Sequence, residues 1–173
     1  MSNPIEPETH QPEAGKRRGI YILPNLFTTG SLFSGFYAII AAMDHHYIPA
    51  VLAIFVALVF DGLDGRVARL INAQSPFGAE YDSLSDLVSF GIAPALVLYN
   101  WVLQPLKYEG FGHLGWLVAF LFVTCVALRL ARFNTQLDHS GAKRYFSGLP
   151  CPPAAVMMAS IVWMGVHYQW SGE

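Results

Sequence analysis

Apolar residues in this chain come in runs long enough to cross a bilayer, separated by short polar connections. The runs cover residues 21–43, 48–70, 83–103, 112–133 and roughly 153–168. A spanning helix needs about 20 mostly apolar residues to cross a hydrocarbon core of about 30 Å. The first four runs meet that length and the fifth is short. The pattern therefore predicts an all-α, polytopic transmembrane helix bundle with five spans. Residues 1–15 are polar, with Pro4, Pro7, Pro12 and several acids, and read as a disordered tail ahead of a transmembrane domain over 16–173. That tail, and the length of the first run, argue against a cleaved signal peptide.

Composition sharpens the picture. The chain is 54% hydrophobic and only 13% charged, too little charge to cover a soluble domain of 173 residues. A formal net charge of -2 gives no reason to expect nucleic acid. Of the ten Lys and Arg residues, nine fall on one side of the predicted bundle: Lys16, Arg17, Arg18, Arg66, Arg69, Arg129, Arg132, Lys143 and Arg144. Lys107 stands alone on the other. Basic residues collect in cytoplasmic connections, so the N-terminus, the 66–82 connection and the 129–148 connection are expected in the cytoplasm. Cys125 and Cys151 read as small apolar residues rather than a disulfide. Ser31/Gly35 and Ser34/Ala38, at four-residue spacing, suit close helix packing. Trp116, Trp163, Trp170, Tyr99 and Tyr168 read as anchors at the membrane interface.

Four aspartates carry the chemistry. Asp61 and Asp64 stand three apart near the end of the second predicted helix; Asp82 and Asp86 stand four apart at the start of the third. Both spacings put a pair on one helical face. With a rise of 1.5 Å per residue, a second helix entered at Ile48 places Asp61 about 20 Å in, near its cytoplasmic end. All four carboxylates are thus expected at one level. An ionised carboxylate inside a bilayer costs at least about 2.5–3.5 kcal/mol, and clustered acids repel one another. Paired divalent cations are the simplest compensation. Oxygen-only ligation suits Mg²⁺, Mn²⁺ or Ca²⁺, and two ions about 3.5–4 Å apart form the clamp of in-line phosphoryl displacement. The bland alternative makes these acids helix caps, plausible for Asp82 near a helix start but not for Asp61, which follows three apolar turns. A cation transporter and a membrane prenyltransferase are the rival functional readings. A metal site at His45 and His46 beside Asp44 is weaker, because adjacent histidines lack the spacing of dedicated ligands.

The pattern Asp61-x2-Asp64-Gly65-x2-Ala68-Arg69-x8-Gly78-x3-Asp82-x3-Asp86 resembles the signature of the CDP-alcohol phosphatidyltransferases at every fixed position and gap. The resemblance implies a dimeric bundle of about six helices with a two-metal site open to the cytoplasm. It implies Asp61, Asp64, Asp82 and Asp86 as metal ligands, with Asp86 also the general base. Gly65, Ala68, Arg69 and Gly78 would line the CDP site. Pro24-Asn25-x2-Thr28 is similar to the family's lead-in, which puts Asn25 and Thr28 against the nucleotide.

Residues 80–94, 128–134 and 146–155 look most like those members whose acceptor is serine. The implied reaction converts CDP-diacylglycerol and L-serine to phosphatidylserine and CMP. Glycerol phosphate and inositol are the alternative acceptors. Arg129, Arg132 and Asn134 are candidates for the serine carboxylate or a lipid phosphate, though both arginines are equally explained by charge asymmetry at a membrane surface. Lys143 and Arg144 read as loop charges. The expected location is a bacterial cytoplasmic membrane. The family has at least one helix more than the five spans here, which suggests a chain truncated at its C-terminus.

Overall fold

A computed structural model describes residues 22–71, 75–103, 114–137 and 150–170. The 1–15 tail, Lys16, Arg17, Arg18, Lys107, Lys143 and Arg144 lie outside them. The described residues are helical: α1 Ile22–Met43, α2 Tyr47–Leu70, α3 Pro76–Asp86, a π-helical turn π1 Leu87–Ile92, α4 Ala93–Leu98, a second π-helical turn π2 Tyr99–Leu103, α5 Gly115–Leu137 and α6 Cys151–His167. The segments from α3 to π2 follow one another without a break and make the third rod. Among the described residues, four helices are long and apolar enough to cross a membrane, namely Leu23–Met43, Tyr47–Leu70, Pro76–Val102 and Gly115–Thr135. α6 is apolar but shorter, at 17 residues. The chain is an integral membrane protein by this measure.

Side-chain size is arranged for lipid rather than water. The seam between α1 and α2 is built from fully or nearly buried Ala38, Ala41, Ala42, Ala50, Ala53 and Ala57. Phe33, Phe36, Leu52, Val56 and Val59 point outward. Small residues let helix backbones approach where no hydrophobic effect drives them together, and large apolar residues suit acyl chains. Ser31, Ser34, Gly35 and Ala38 fulfil the packing role expected of them, all four buried. Phe90, Ala93, Val97, Ala155, Ala159 and Val162 extend the core to the third rod and α6.

The α1–α2 hairpin closes on His45, whose positive φ of 59° stops α1. The His46 amide bonds the Ala41 carbonyl at 2.8 Å and the His45 amide bonds Ala42 at 3.2 Å, the paired C-terminal closure of a Schellman motif. His45 Nδ1 lies 2.9 Å from the Tyr47 hydroxyl, which donates to the Asn100 carbonyl at 3.1 Å. Tyr47, met by His45, therefore ties this turn to the third rod.

The third rod corrects the predicted boundary. It begins at Pro76, seven residues before the apolar run at Ser83. Ser75 is extended (φ -132°, ψ 150°), its hydroxyl accepts from the Gly78 amide, and Pro76 occupies the first turn. A Ser cap followed by Pro is a strong start signal that hydropathy alone does not register. α2 ends at Leu70, as the 48–70 run predicts, and so carries Arg66 and Arg69, with Arg69 in the last turn where a cation suits the helix dipole. The expected 66–82 connection is thus mostly helix. Asp82 lies in the second turn of α3 and is not a cap.

Candidate active site

The last turns of α2 and the first turns of α3 present their acids to each other. Asp61, Asp64 and Asp82 each offer a carboxylate oxygen, and these oxygens lie within 4.8 Å of one another. The Asp86 carboxyl meets that of Asp61 within hydrogen-bonding reach. The four expected acids therefore converge, three as one tight group and the fourth against Asp61. Asp64 is the most enclosed of the tight group.

The donor set fits a hard divalent cation. Asp82 Oδ1 and Asp86 Oδ1 are buried and have no hydrogen-bond partner among the described residues. A buried carboxylate oxygen without a donor is costly, and a cation coordinated by several oxygens satisfies it. The group of Asp61, Asp64 and Asp82 is therefore able to hold a metal ion.

Around the acids, α1 supplies polar side chains. Thr28 Oγ1 lies 2.9 Å from Asp64 Oδ2 and 3.2 Å from the Pro24 carbonyl, and Thr28 is only 4% exposed. The Ser85 hydroxyl of α3 donates to the Thr28 carbonyl at 3.1 Å. Asn25 flanks the start of α3: a Cβ added at Gly78 would lie 3.5 Å from Asn25 Oδ1 and 3.1 Å from Ser75 Oγ. Thr29 Oγ1 and the Tyr81 hydroxyl are 3.0 Å apart. On α2, Gly65 opens onto free space, with nothing within 4 Å of where its Cβ would be. Helical periodicity puts Gly65, Ala68 and Arg69 on the face that carries Asp61 and Asp64. Arg69 is exposed.

The residues expected at the acceptor are placed less uniformly. Asn134 of α5 reaches α3: its Nδ2 donates to Glu80 Oε2 at 3.1 Å, and Ser83 Oγ donates to its Oδ1 at 3.2 Å. Arg129 donates from Nη1 to Cys151 Sγ at 2.9 Å. Cys151 is thus more than a small apolar residue, although it is buried as expected. Arg132 is exposed. Sequence reasoning did not single out Glu80, Tyr81, Ser83 or Ser85 as site-shaping residues. The signal for Ser83 and Ser85 was the interleaving of polar residues between Asp82 and Asp86.

Comparison with known proteins agrees with this geometry. The profile of the CDP-alcohol phosphatidyltransferase family matches residues 21–171, and the chain belongs to that family. It is 43% identical over 151 residues to a CDP-diacylglycerol–serine O-phosphatidyltransferase of Helicobacter pylori (strain J99), covering 87% of this chain and 61% of that protein. It is 42% identical over 158 residues to the Mycobacterium bovis protein of the same name, covering 88% of this chain and 53% of the relative. An archaetidylserine synthase of Methanothermobacter thermautotrophicus is 36% identical over 151 residues, covering 86% of this chain and 61% of that protein. The chain therefore spans only between half and about three fifths of the length of these relatives.

Proposed function

We propose that this chain transfers the phosphatidyl group of CDP-diacylglycerol to L-serine, forming phosphatidylserine and CMP in phospholipid biosynthesis. The observation that carries this reading is the convergence of acids from α2 and α3, with buried carboxylate oxygens left without donors. The names of the relatives supply the acceptor.

Asp61, Asp64, Asp82 and Asp86 would hold two divalent cations, Mg²⁺ or Mn²⁺, with Ca²⁺ as a further candidate. When bound, such ions neutralise charge on the pyrophosphate and on the departing phosphate. The protein's own groups do the rest. Gly65, lacking a side chain, leaves room for the nucleotide beside α2. Ala68, Arg69, Gly78 and Asn25 line the same approach, and Arg69 offers a guanidinium to its phosphates. Thr28 reaches the site through Asp64.

The serine hydroxyl oxygen forms a bond to the phosphorus that carries diacylglycerol. The bond from that phosphorus to the CMP oxygen breaks, and CMP departs. Asp86, turned toward Asp61, takes the hydroxyl proton, for which it must come within about 2.6–3.2 Å of the serine oxygen. Arg129, Arg132 and Asn134 form the candidate receptor for the serine carboxylate or a lipid phosphate. The site faces the cytoplasm, a reading supported by the nine-to-one distribution of basic residues. The enzyme works as a homodimer in a bacterial cytoplasmic membrane, as the resemblance implies.

Proteoliposomes of the purified chain, given labelled CDP-diacylglycerol with Mn²⁺ or Mg²⁺ and one acceptor at a time, test the proposal. Serine should give phosphatidylserine with stoichiometric CMP. Product from glycerol phosphate or inositol instead would replace the acceptor. Metal uptake without lipid turnover would replace the enzyme with a transporter.

A further inference from the structure

We infer that Thr28 is a positioning residue that holds the Asp64 carboxylate in place for cation binding, with Ser85 holding Thr28 in turn. The inference rests on the proposed reading of the aspartate group as a cation site. Resemblance alone puts Thr28 against the nucleotide. Its 4% exposure leaves almost no surface for such a contact, and its hydroxyl is already engaged at 2.9 Å by Asp64 Oδ2.

The local chemistry explains why threonine suits the position. In a helix, the β-branched side chain has few χ1 choices, one of which lets Oγ1 reach the carbonyl four residues back. Here that carbonyl belongs to Pro24, 3.2 Å away. The same rotamer aims the hydroxyl at α2. A hydroxyl has one proton to donate, and a carboxylate is the stronger acceptor. The bond to Asp64 therefore commits one of its two oxygens to α1 and leaves the other lone pairs for a cation.

Ser85 fixes the base of this strut. It is 1% exposed and its hydroxyl donates to the Thr28 carbonyl at 3.1 Å. Ser85 stands between Asp82 and Asp86 on α3. Thr28 thus links the helix carrying Asp61 and Asp64 to the helix carrying Asp82 and Asp86, through a third helix that contributes none of the four acids. Partners one step removed from a metal typically set ligand orientation, and losing one costs about 10–100-fold in metal affinity.

The test is Mn²⁺ titration of the full chain in nanodiscs, read by electron paramagnetic resonance, for wild type, Thr28→Val and Thr28→Ser. Thr28→Val keeps the shape and removes the donor; it should weaken Mn²⁺ binding by about 10–100-fold. Thr28→Ser restores the hydroxyl and should restore the affinity. CDP affinity at saturating Mn²⁺ should be the same in all three. Unchanged Mn²⁺ affinity in a folded Thr28→Val protein overturns the inference, and a loss confined to CDP affinity identifies Thr28 as a nucleotide contact. Should Thr28→Val not fold, Ser85→Ala is read instead: weakened Mn²⁺ binding sustains the inference and unchanged binding overturns it. A wild type that binds no Mn²⁺ defeats the proposed function itself, and this inference with it.

Discussion

Gly35 of α1 lies directly on the backbone of Ser89 of π1. A methyl group at Gly35 would come 2.5 Å from Ser89 Oγ and 2.7 Å from its Cα, and the Ser89 hydroxyl already donates to the Ser31 carbonyl at 3.0 Å. The first helix and the third rod meet here with only the small Ser89 side chain between them, one turn beyond Asp86.

Gly35→Ala should therefore destabilise the fold, because Ser89 Cα, at 2.7 Å, is backbone and cannot swing aside even if the hydroxyl does. Overpacking of this kind costs about 1–3 kcal/mol. Thermal unfolding in detergent should show a lower midpoint than wild type, and an unchanged midpoint would refute the close approach. Ser89→Ala removes one hydrogen bond without crowding and should cost less, about 0.5–1.5 kcal/mol.

Cation removal should act on stability as well as on turnover. Without cations, Asp61, Asp64 and Asp82 face one another across less than 5 Å, and their mutual repulsion pushes the acid-bearing ends of α2 and α3 apart. EDTA should lower the thermal midpoint and abolish turnover; adding Mn²⁺ or Mg²⁺ should restore both. At a hundred times the dissociation constant, the gain is about 2.7 kcal/mol. A protein carrying both Asp61→Asn and Asp82→Asn should be more stable than wild type in EDTA and insensitive to Mn²⁺. A cation-dependent shift that survives both substitutions would place the ion elsewhere.

The acids should also separate by role. Asp64→Asn removes charge from the tight group, and the several kcal/mol that cations contribute to such transfers predicts a fall in turnover of at least about a hundredfold, together with weaker Mn²⁺ binding. Asp86→Asn should abolish turnover while CDP-diacylglycerol binding stays measurable. Unchanged turnover in Asp86→Asn would withdraw the base assignment.

Much of the site could be read from the sequence because its key relations are local. Asp61 with Asp64, and Asp82 with Asp86, are spaced by one helical turn, and a membrane makes any such acid conspicuous. The start of the third rod was legible too, in Ser75-Pro76, but its amphipathic first turns fall below a hydropathy threshold that suits only the bilayer interior. The pairings of Thr28 with Asp64 and of Asn134 with Glu80 join residues 36 and 54 positions apart. No periodicity encodes them; they exist only once α1 has docked on α2 and α5 on α3. The two π turns likewise have no composition that sets them apart from α-helix.

Asn134 offers a test of one such tertiary contact. Asn134→Ala removes both the bond to Glu80 and the bond from Ser83, and α5 is otherwise largely exposed along its length. Net loss should be about 1–3 kcal/mol at that end of the helix. Hydrogen exchange should quicken in residues 130–137 while the α1–α2 seam keeps its protection. Equal exchange in variant and wild type would show that other contacts hold α5.

Asp86 is the last residue before the third rod widens into π1. A π turn holds about one residue more than an α turn, so everything beyond it is offset by roughly 100° around the axis compared with an unbroken helix. The widening gives a single rod two independent rotational settings, one aiming Asp82 and Asp86 at α2, the other turning Phe90, Ala93 and Val97 into the core. Deleting one residue within 87–92 would merge those settings into one, and the rod could then satisfy the acids or the seam, but not both.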